Sequence, residues 1–433
     1  MTESSPTRRG FLKSSAAATA AVAAGWMTVP PVHAGGSDVI RIGMIGCGGR
    51  CTGAAADAMT ADPGLRLVAM CDLFADRVRA KREVLRKLKP DQVAVDDEHC
   101  FVGLDGYKHV IESCDVVLIA NAAKFHPLHL RAAVEAGKHV FLEKPHAIDP
   151  PGVRAVAAAC AMAKQKGLSV LSGLQSRWDP VMQETVKRIH DGAIGRIVAI
   201  EENFLRAPYG LLYRDPALNE LHYQYSNQYH FSWLSGDDVT QSLIHNLDRA
   251  TWAMREQPPL KCHGLGGRSS CFAPHVYGNV FDHHSLVYHY ADGVRLYALC
   301  RTQPGCYNES STIIMGSKGT AFPRTGEITG ENAWKYKGPK ENAYVLEHRH
   351  FFGAIRSGTP LNCGDYMARS TLVAVMGQLS CYGGKEITWE QANKSEFCFR
   401  PKPEECTWEM EPPVKPDAAG VYPVAVPGET KTI

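Results

Sequence analysis

"VIRIGMIGCGGRCTGAAADAM", Val39 to Met59, is the stretch on which the reading of the fold turns. Val39 to Ile45 is an apolar run of strand length, and Ala54 to Met59 reads as helix. Gly46, Gly48 and Gly49 stand between them, followed by Arg50. Glycines there allow a tight turn and let a pyrophosphate approach the backbone and rest on the helix N-terminus. The motif alone is weak, but a strand before it and a helix after it are the context that it requires. Cys51 occupies the place of a third glycine, where a small side chain still lets helix and strand pack.

Downstream, "LRLVAMCDLFADR" reads as a second strand ending at Asp72. That acid lies about 25 residues past the glycines, the spacing expected of a group that binds an adenosine ribose. Asp72 favours NAD, because a 2′-phosphate would be repelled. Arg77 and Arg79 lie close enough to rescue a phosphate, so NADP is not excluded. "CDVVLIANAAKFH" supplies a buried strand, Val116 to Ala120, with Asn121 and His126 after its carboxyl end. "KHVFLEKP" is the next parallel strand and delivers Glu143 and Lys144 to the same edge, where open α/β sheets bind ligands. A lysine partly buried there, beside a cationic nicotinamide, has a lowered pKa and can stabilise a developing alkoxide. The plainer reading of Lys144 is a surface lysine after a strand.

Beyond a helix from about Gly152 to Lys166, "LSVLSGLQSRWDP" is expected to open a second domain and carries Arg177 as a candidate substrate contact. "RIVAIEENFL" alternates like a half-buried strand. From Ala207 to Gly236 the pattern gives way to aromatics, Gly, Pro and Asn. Tyrosine and tryptophan faces suit sugar rings, and an aromatic-stapled loop or subunit contact fits equally well. "SGDDVTQSLIHNLDRATWAM" then reads as a helix over about Thr240 to Met254, with Asp237 and Asp238 at its N-terminal end. Gln241, His245 and Asp248 are spaced to share one helix face. Asp282, His283, His284 and His289 suggest a metal, but strand alternation puts His283 and His284 on opposite faces, so no metal site is expected. Asp282, His283 and Arg301 remain candidates for a substrate edge, with core or interface roles as the alternative. From Gly384 the chain is Pro-rich and reads as an extended tail.

The bulk numbers bound the function. A chain of 433 residues is long for one domain and suits two. A net charge of +2 offers no strong field for nucleic acid or an anionic membrane. "TRRGFLK" pairs Arg8 with Arg9, a small apolar run follows, and "VHA" ends at Ala34: a twin-arginine export signal over residues 1–34, too short for a span. Proteins exported in this way are already folded, so a cytoplasmic nucleotide can travel with them if it is tightly retained. The 14 cysteines lack paired CxxC spacing, which argues against a zinc site.

"GMIGCGGR", "CDLFADR", "AAVEAGKHVFLEKP", "DGAIGRIVAIE", "SLIHNLDRATW" and "GSKGTAF" together resemble the Gfo/Idh/MocA oxidoreductases, the family of glucose–fructose oxidoreductase and inositol dehydrogenase. The resemblance covers nearly all of the chain after the signal, and "AGKHVFLEKP" is its most specific carrier. It implies an α/β protein: a Rossmann domain (38–165), an α/β domain with a large, mostly antiparallel open sheet (166–383) that often mediates homo-oligomerisation, and the tail (384–433). It further implies that Lys144 touches both nicotinamide and substrate and that His245 is the acid/base. Gln241 stands where the family usually has an aspartate; it can hydrogen-bond a sugar hydroxyl but cannot take a proton. The expected activity is NAD(P)-dependent oxidation of a secondary hydroxyl on a sugar, cyclitol or glycoside. A redox-neutral glycoside hydrolase or lyase working through a transient keto-sugar is the alternative, and a non-catalytic nucleotide-bound sugar sensor a third reading.

Overall fold

Two short, wholly buried strands show how the first sheet is built. Val116–Ile119 and His139–Leu142 expose no residue on either face, as strands do when helices cover both sides of a parallel sheet. The computed structural model describes residues 38–215, 217–269 and 278–433, so the twin-arginine segment lies outside the described residues. Six parallel strands, β1 (Ile40–Ile45), β2 (Leu65–Asp72), β3 (Cys100–Val102), β4 (Val116–Ile119), β5 (His139–Leu142) and β6 (Val170–Ser172), are ordered β3-β2-β1-β4-β5-β6. Helices α1 (Gly49–Ala61), α2 (Ala75–Leu88), α3 (Gly106–Ser113), α4 (His126–Glu135) and α5 (Pro150–Gln165) connect them. The order reverses between β1 and β4, which opens a crevice at their carboxyl ends.

Residues 168–172 belong to this first sheet, not to a second domain as expected. Val140, Phe141 and Leu142 of β5 pair with Val170, Leu171 and Ser172 of β6. The apolar segment after α5 finds its free edge there, so the nucleotide domain runs through Ser172.

Nine strands make the second sheet: β7 (Ile197–Arg206), β8 (Lys261–Gly267), β9 (His283–His289), β10 (Arg295–Thr302), β11 (Glu309–Gly316), β12 (Gly319–Phe322), β13 (Glu327–Gly330), β14 (Trp334–Lys335) and β15 (Ile387–Thr388). Only β7 and β10 pair in parallel; all other neighbours are antiparallel. Helices α6 (Pro180–His190), α7 (Ile244–Ala253), α8 (Ala343–Arg356) and α9 (Gly364–Gly383) accompany it. Leu296, Ala298 and Cys300 of β10 are buried while Tyr297 and Leu299 are exposed, the alternation of a sheet with one open face. Leu265 of β8 is exposed on that face too, paired in register through Ser285 to Leu299. Almost every residue of α9 is buried, because it packs on α5, α7 and β8 at once. No helix among the described residues is long and apolar enough to cross a membrane.

The tail also begins later than expected. Ile387 and Thr388 join the sheet edge at β8, and a capping box of Thr388 and Gln391 starts a short helix over Trp389–Lys394. Past it, Phe399, Cys406, Trp408 and Met410 pack onto a second hydrophobic cluster built from Tyr223, Tyr225, Phe231, Trp233 and Tyr422. Most of the 207–236 aromatics thus form a small core of their own.

Candidate active site

The turn from β1 to α1 is shaped by close approach. Gly46 has φ +97, and a Cβ there would stand 2.9 Å from the backbone of Asn121. At Gly48 and Gly49 a Cβ would meet nothing within 4 Å, so the loop faces open space. No side chain caps α1, which leaves its first N–H groups available to an anion. Cys51 is fully buried, its thiol against the carbonyls of Ile45 and Leu118 at 3.7 Å each, and so does the packing work of a third glycine. Asp72 accepts from the N–H of Cys47 (2.7 Å) and of Phe74 (3.1 Å), and burial raises its pKa. Gly46, Gly48, Asp72, Phe74, Arg77, Asn121, Phe125 and Tyr225 line a cleft of about 660 Å³. Arg77 lies over the Phe74 ring inside this cleft, whereas Arg79 is exposed outside it.

A smaller recess continues from Asn121, lined by Arg50, His126, Glu143, Lys144, Tyr229 and Gln241. The Glu143 carboxylate pairs with Arg50 Nε at 2.6 Å and accepts the Lys144 N–H at 2.8 Å. It packs so tightly on Gly173 that a Cβ there would come within 2.8 Å of the carboxyl carbon. Lys144 Nζ donates to the Gln241 carbonyl at 2.7 Å. Burial pushes the Lys144 ammonium below its ordinary pKa; Glu143 and Asp238 oppose that shift, and Arg50 and Arg206 add to it. His126 sits between the carbonyls of Pro145 (2.7 Å) and Asn121 (3.2 Å), and burial holds its pKa down to about 4. Its neutral ring can therefore donate to one carbonyl at a time. Asn121 Oδ1 is buried without a partner among the described residues. Open space at the glycines, uncapped N–H groups and this orphaned acceptor fit a dinucleotide.

The helix expected over Thr240 to Met254 is not regular throughout: Val239–Leu243 is a π turn that runs directly into α7, and the wider turn shifts Gln241 from its expected register with His245 and Asp248. The Gln241 side-chain amide donates to the Ser235 carbonyl at 2.9 Å. His245, on the first turn of α7, has a buried Nδ1 with no partner among the described residues. Its pKa is held well below the ordinary value, first by burial and then by the Lys144 ammonium and Arg249. Asp248 is fully buried and accepts from Arg177 at 2.7 Å and from Ser370 at 2.8 Å. Arg177 also pairs with Glu256 and lies against the rings of Trp252 and Tyr366. Expected at the substrate, Arg177 is instead committed to a buried ion-pair network, since a guanidinium this enclosed needs carboxylate partners.

Tyr229 links the recess to a second cavity, also lined by Arg206, Tyr209, His230, Asp238, Asp282 and Thr302. Tyr209 and Tyr229 stack at 4.2 Å, and Arg206 lies 3.7 Å over the Tyr209 ring. Arg206 pairs with Asp238, which also accepts from Ser242 (2.6 Å) and Cys300 (2.9 Å). Asp237 and Asp238 do not cap the helix: Asp237 is used by Phe281, His284 and Tyr382. Asp282 reaches this cavity while accepting from Ser269. His283, expected beside the substrate, is half exposed and tied through Nδ1 to Asp282 at 2.6 Å. Strand alternation turns its ring away from the cavity side, where His284 is buried. Arg301 donates to the Tyr307 carbonyl. Arg206 carries no motif in the sequence, its one signal being its place at the end of a strand before the aromatic run; Asp238 reads there as a helix-end residue, and Tyr209 and Tyr229 belong to the run whose faces suit sugar rings.

Residues 40–173 match the model of GFO_IDH_MocA, an oxidoreductase family with an NAD-binding Rossmann fold. Glycosyl hydrolase family 109 protein 1 of Bacteroides fragilis is 36% identical over 114 residues, 26% of this chain and 23% of that protein. Inositol 2-dehydrogenase of Acidothermus cellulolyticus is 28% identical over 214 residues, 49% of this chain and 53% of that one. The chain thus spans between about a quarter and a half of the length of these relatives. Aldose-aldose oxidoreductase from Caulobacter crescentus, solved with glycerol, shares the fold with a TM-score of 0.63 at 18% identity, over 81% of this chain and 99% of that one.

Proposed function

Since the chain belongs to the Gfo/Idh/MocA oxidoreductases through its NAD-binding Rossmann domain, residues 40–173, we propose that it oxidises a secondary hydroxyl of a sugar, cyclitol or glycoside with NAD. The observation that carries this reading is the meeting of a part-buried Lys144 with the β1–α1 and β4 ends on one side and with the Gln241 carbonyl of the π turn before α7 on the other. The bound nucleotide would supply the hydride acceptor. Lys144 then hydrogen-bonds the reacting hydroxyl and stabilises the oxyanion as it forms. His245, kept neutral by its surroundings, takes the hydroxyl proton at Nδ1 or Nε2. Glu143 and Arg50 fix the backbone that carries Lys144. The stacked tyrosines and the Arg206–Asp238 pair offer a ring face and polar edges to a polyhydroxylated substrate. Asp72 supports NAD over NADP, although Arg77 shares its cleft.

A second reading has one specific support, the family 109 glycosyl hydrolase at 36% identity over 114 residues. In it the same Lys144 and His245 serve a transient oxidation, and the hydride returns after the glycosidic bond breaks. Product analysis separates the two. Incubation with cyclitols, aldoses and glycosides should give a keto product with net nicotinamide reduction on the first reading. Glycoside cleavage with no net reduction supports the second. Neither activity, with sugar binding intact, would overturn both.

A further inference from the structure

We infer that the C-terminal segment 398–422 is part of the nucleotide site and holds the dinucleotide in place as a resident group; the inference rests on the nucleotide reading of the cleft given above. Leu73, Phe74, Leu104, Ala122 and Phe125 line the cleft, and the same five side chains belong to the second hydrophobic cluster. The outer wall of the cleft and the seat of the C-terminal segment are therefore one packed unit.

Trp408 is the joint. Its ring meets Phe74 edge-on at 6.0 Å and Tyr225 edge-on at 5.4 Å, and it stacks on His222 at 4.6 Å. A Cβ at Gly103, another cleft residue, would lie 3.9 Å from the Trp408 indole nitrogen. Phe74 and Tyr225 face the cleft, and Trp408 backs both of them.

The segment is anchored along its length, so this backing is firm. The buried Lys124 amine donates to the Phe399 carbonyl at 2.6 Å. Gln224 donates to the Val414 carbonyl at 2.6 Å and accepts from the Trp233 indole at 2.8 Å. Tyr422 is buried, donates to Glu220 and accepts from Arg214, each at 2.6 Å, and meets Phe231 edge-on. Phe74 and Tyr225 would lie against a nucleotide seated between Asp72 and Asn121 and would have to shift if the cleft widens to release it. That wall cannot swing outward without displacing Trp408 and its anchors. Trp408 is thus a positioning residue that acts through Phe74 and Tyr225. A nucleotide held in this way has to be reoxidised where it sits, by a second substrate or by hydride return to the first.

The test is nucleotide exchange on the full chain. Protein loaded with NAD is mixed with excess thionicotinamide adenine dinucleotide, and the appearance of free NAD is followed. Exchange in the native chain should take many minutes, and Trp408→Ala should speed release at least tenfold while the association rate stays within twofold. Trp408→Phe, which keeps an aromatic ring against Phe74 and Tyr225, should restore most of the retention; a general loss of packing would not separate the two rates in this way. Exchange within seconds in the native chain would overturn the inference even if Trp408→Ala fails to fold. Native and Trp408→Ala proteins that release NAD equally fast would overturn it as well, while leaving the nucleotide reading intact. A native chain that binds neither dinucleotide would instead overturn that underlying reading.

Discussion

In the proposed reaction Lys144 and His245 divide the chemistry, and the Lys144 ammonium acts on the charge of His245. Burial and the neighbouring ammonium hold the His245 pKa down, so the imidazole stays neutral until the pH falls well below 6.5. A base must be unprotonated to act; hence the acid limb of kcat/KM should lie below the range of an ordinary histidine. His245→Ala should lower the hydride-transfer rate by roughly 10²–10⁴-fold and abolish that limb, with nucleotide affinity little changed. A pH series on both proteins checks this, and an unmoved limb in His245→Ala would assign the base to another group. Both candidates stand out in the sequence because short motifs carry them. Arg177 was misread for a physical reason. An arginine after a strand looks the same in sequence whether it meets a substrate or a buried carboxylate, and Asp248 lies 71 residues away.

At the scale of elements, local signals were read well and non-local ones poorly. The β1–α1 turn is specified within a few residues, and Gly46 supplies the positive φ that the tight turn needs. Gly46→Ala should be poorly tolerated, because φ +97 is strained for alanine and the new methyl would press on Asn121. We expect a loss of about 1–3 kcal/mol in stability and weaker NAD binding, measurable by denaturant unfolding and titration calorimetry. Gly48→Ala faces open space in the free protein and should weaken NAD binding with little loss of stability. The segment 239–243 shows the opposite case. Its helical periodicity was visible, but the inserted π turn was not, since nothing in composition distinguishes it. The first-domain boundary was set too early because "VLS" carries no mark of which sheet it will join. Likewise, "EITW" near the carboxyl end gave no sign that β15 closes the sheet edge beside β8.

Across the whole molecule, two sheets share the buried helix α9, and the fold encloses a set of neutral histidines. Burial lowers the pKa to about 4 for His126 and to about 3 for His129, His146 and His348. Below about 6.5 the unfolded chain protonates these groups and the folded one does not, so the unfolded state binds more protons. Stability should therefore fall as the pH drops from about 6.5 toward 4, which a series of melting curves would show as a steadily declining Tm. A flat Tm over that window would mean that these side chains reach water or partners in the fold. Lys144 and His245 are proposed to sit where hydride leaves a substrate carbon for a nicotinamide. The most direct test of that placement is a single turnover: NAD-loaded protein mixed with a reactive sugar, cyclitol or glycoside, with absorbance followed at the wavelength of reduced nicotinamide. The account predicts a transient or lasting rise of one equivalent per chain, slowed by deuterium at the reacting carbon and largely lost in Lys144→Ala. Substrate conversion by protein stripped of nucleotide, with no such rise, would contradict it.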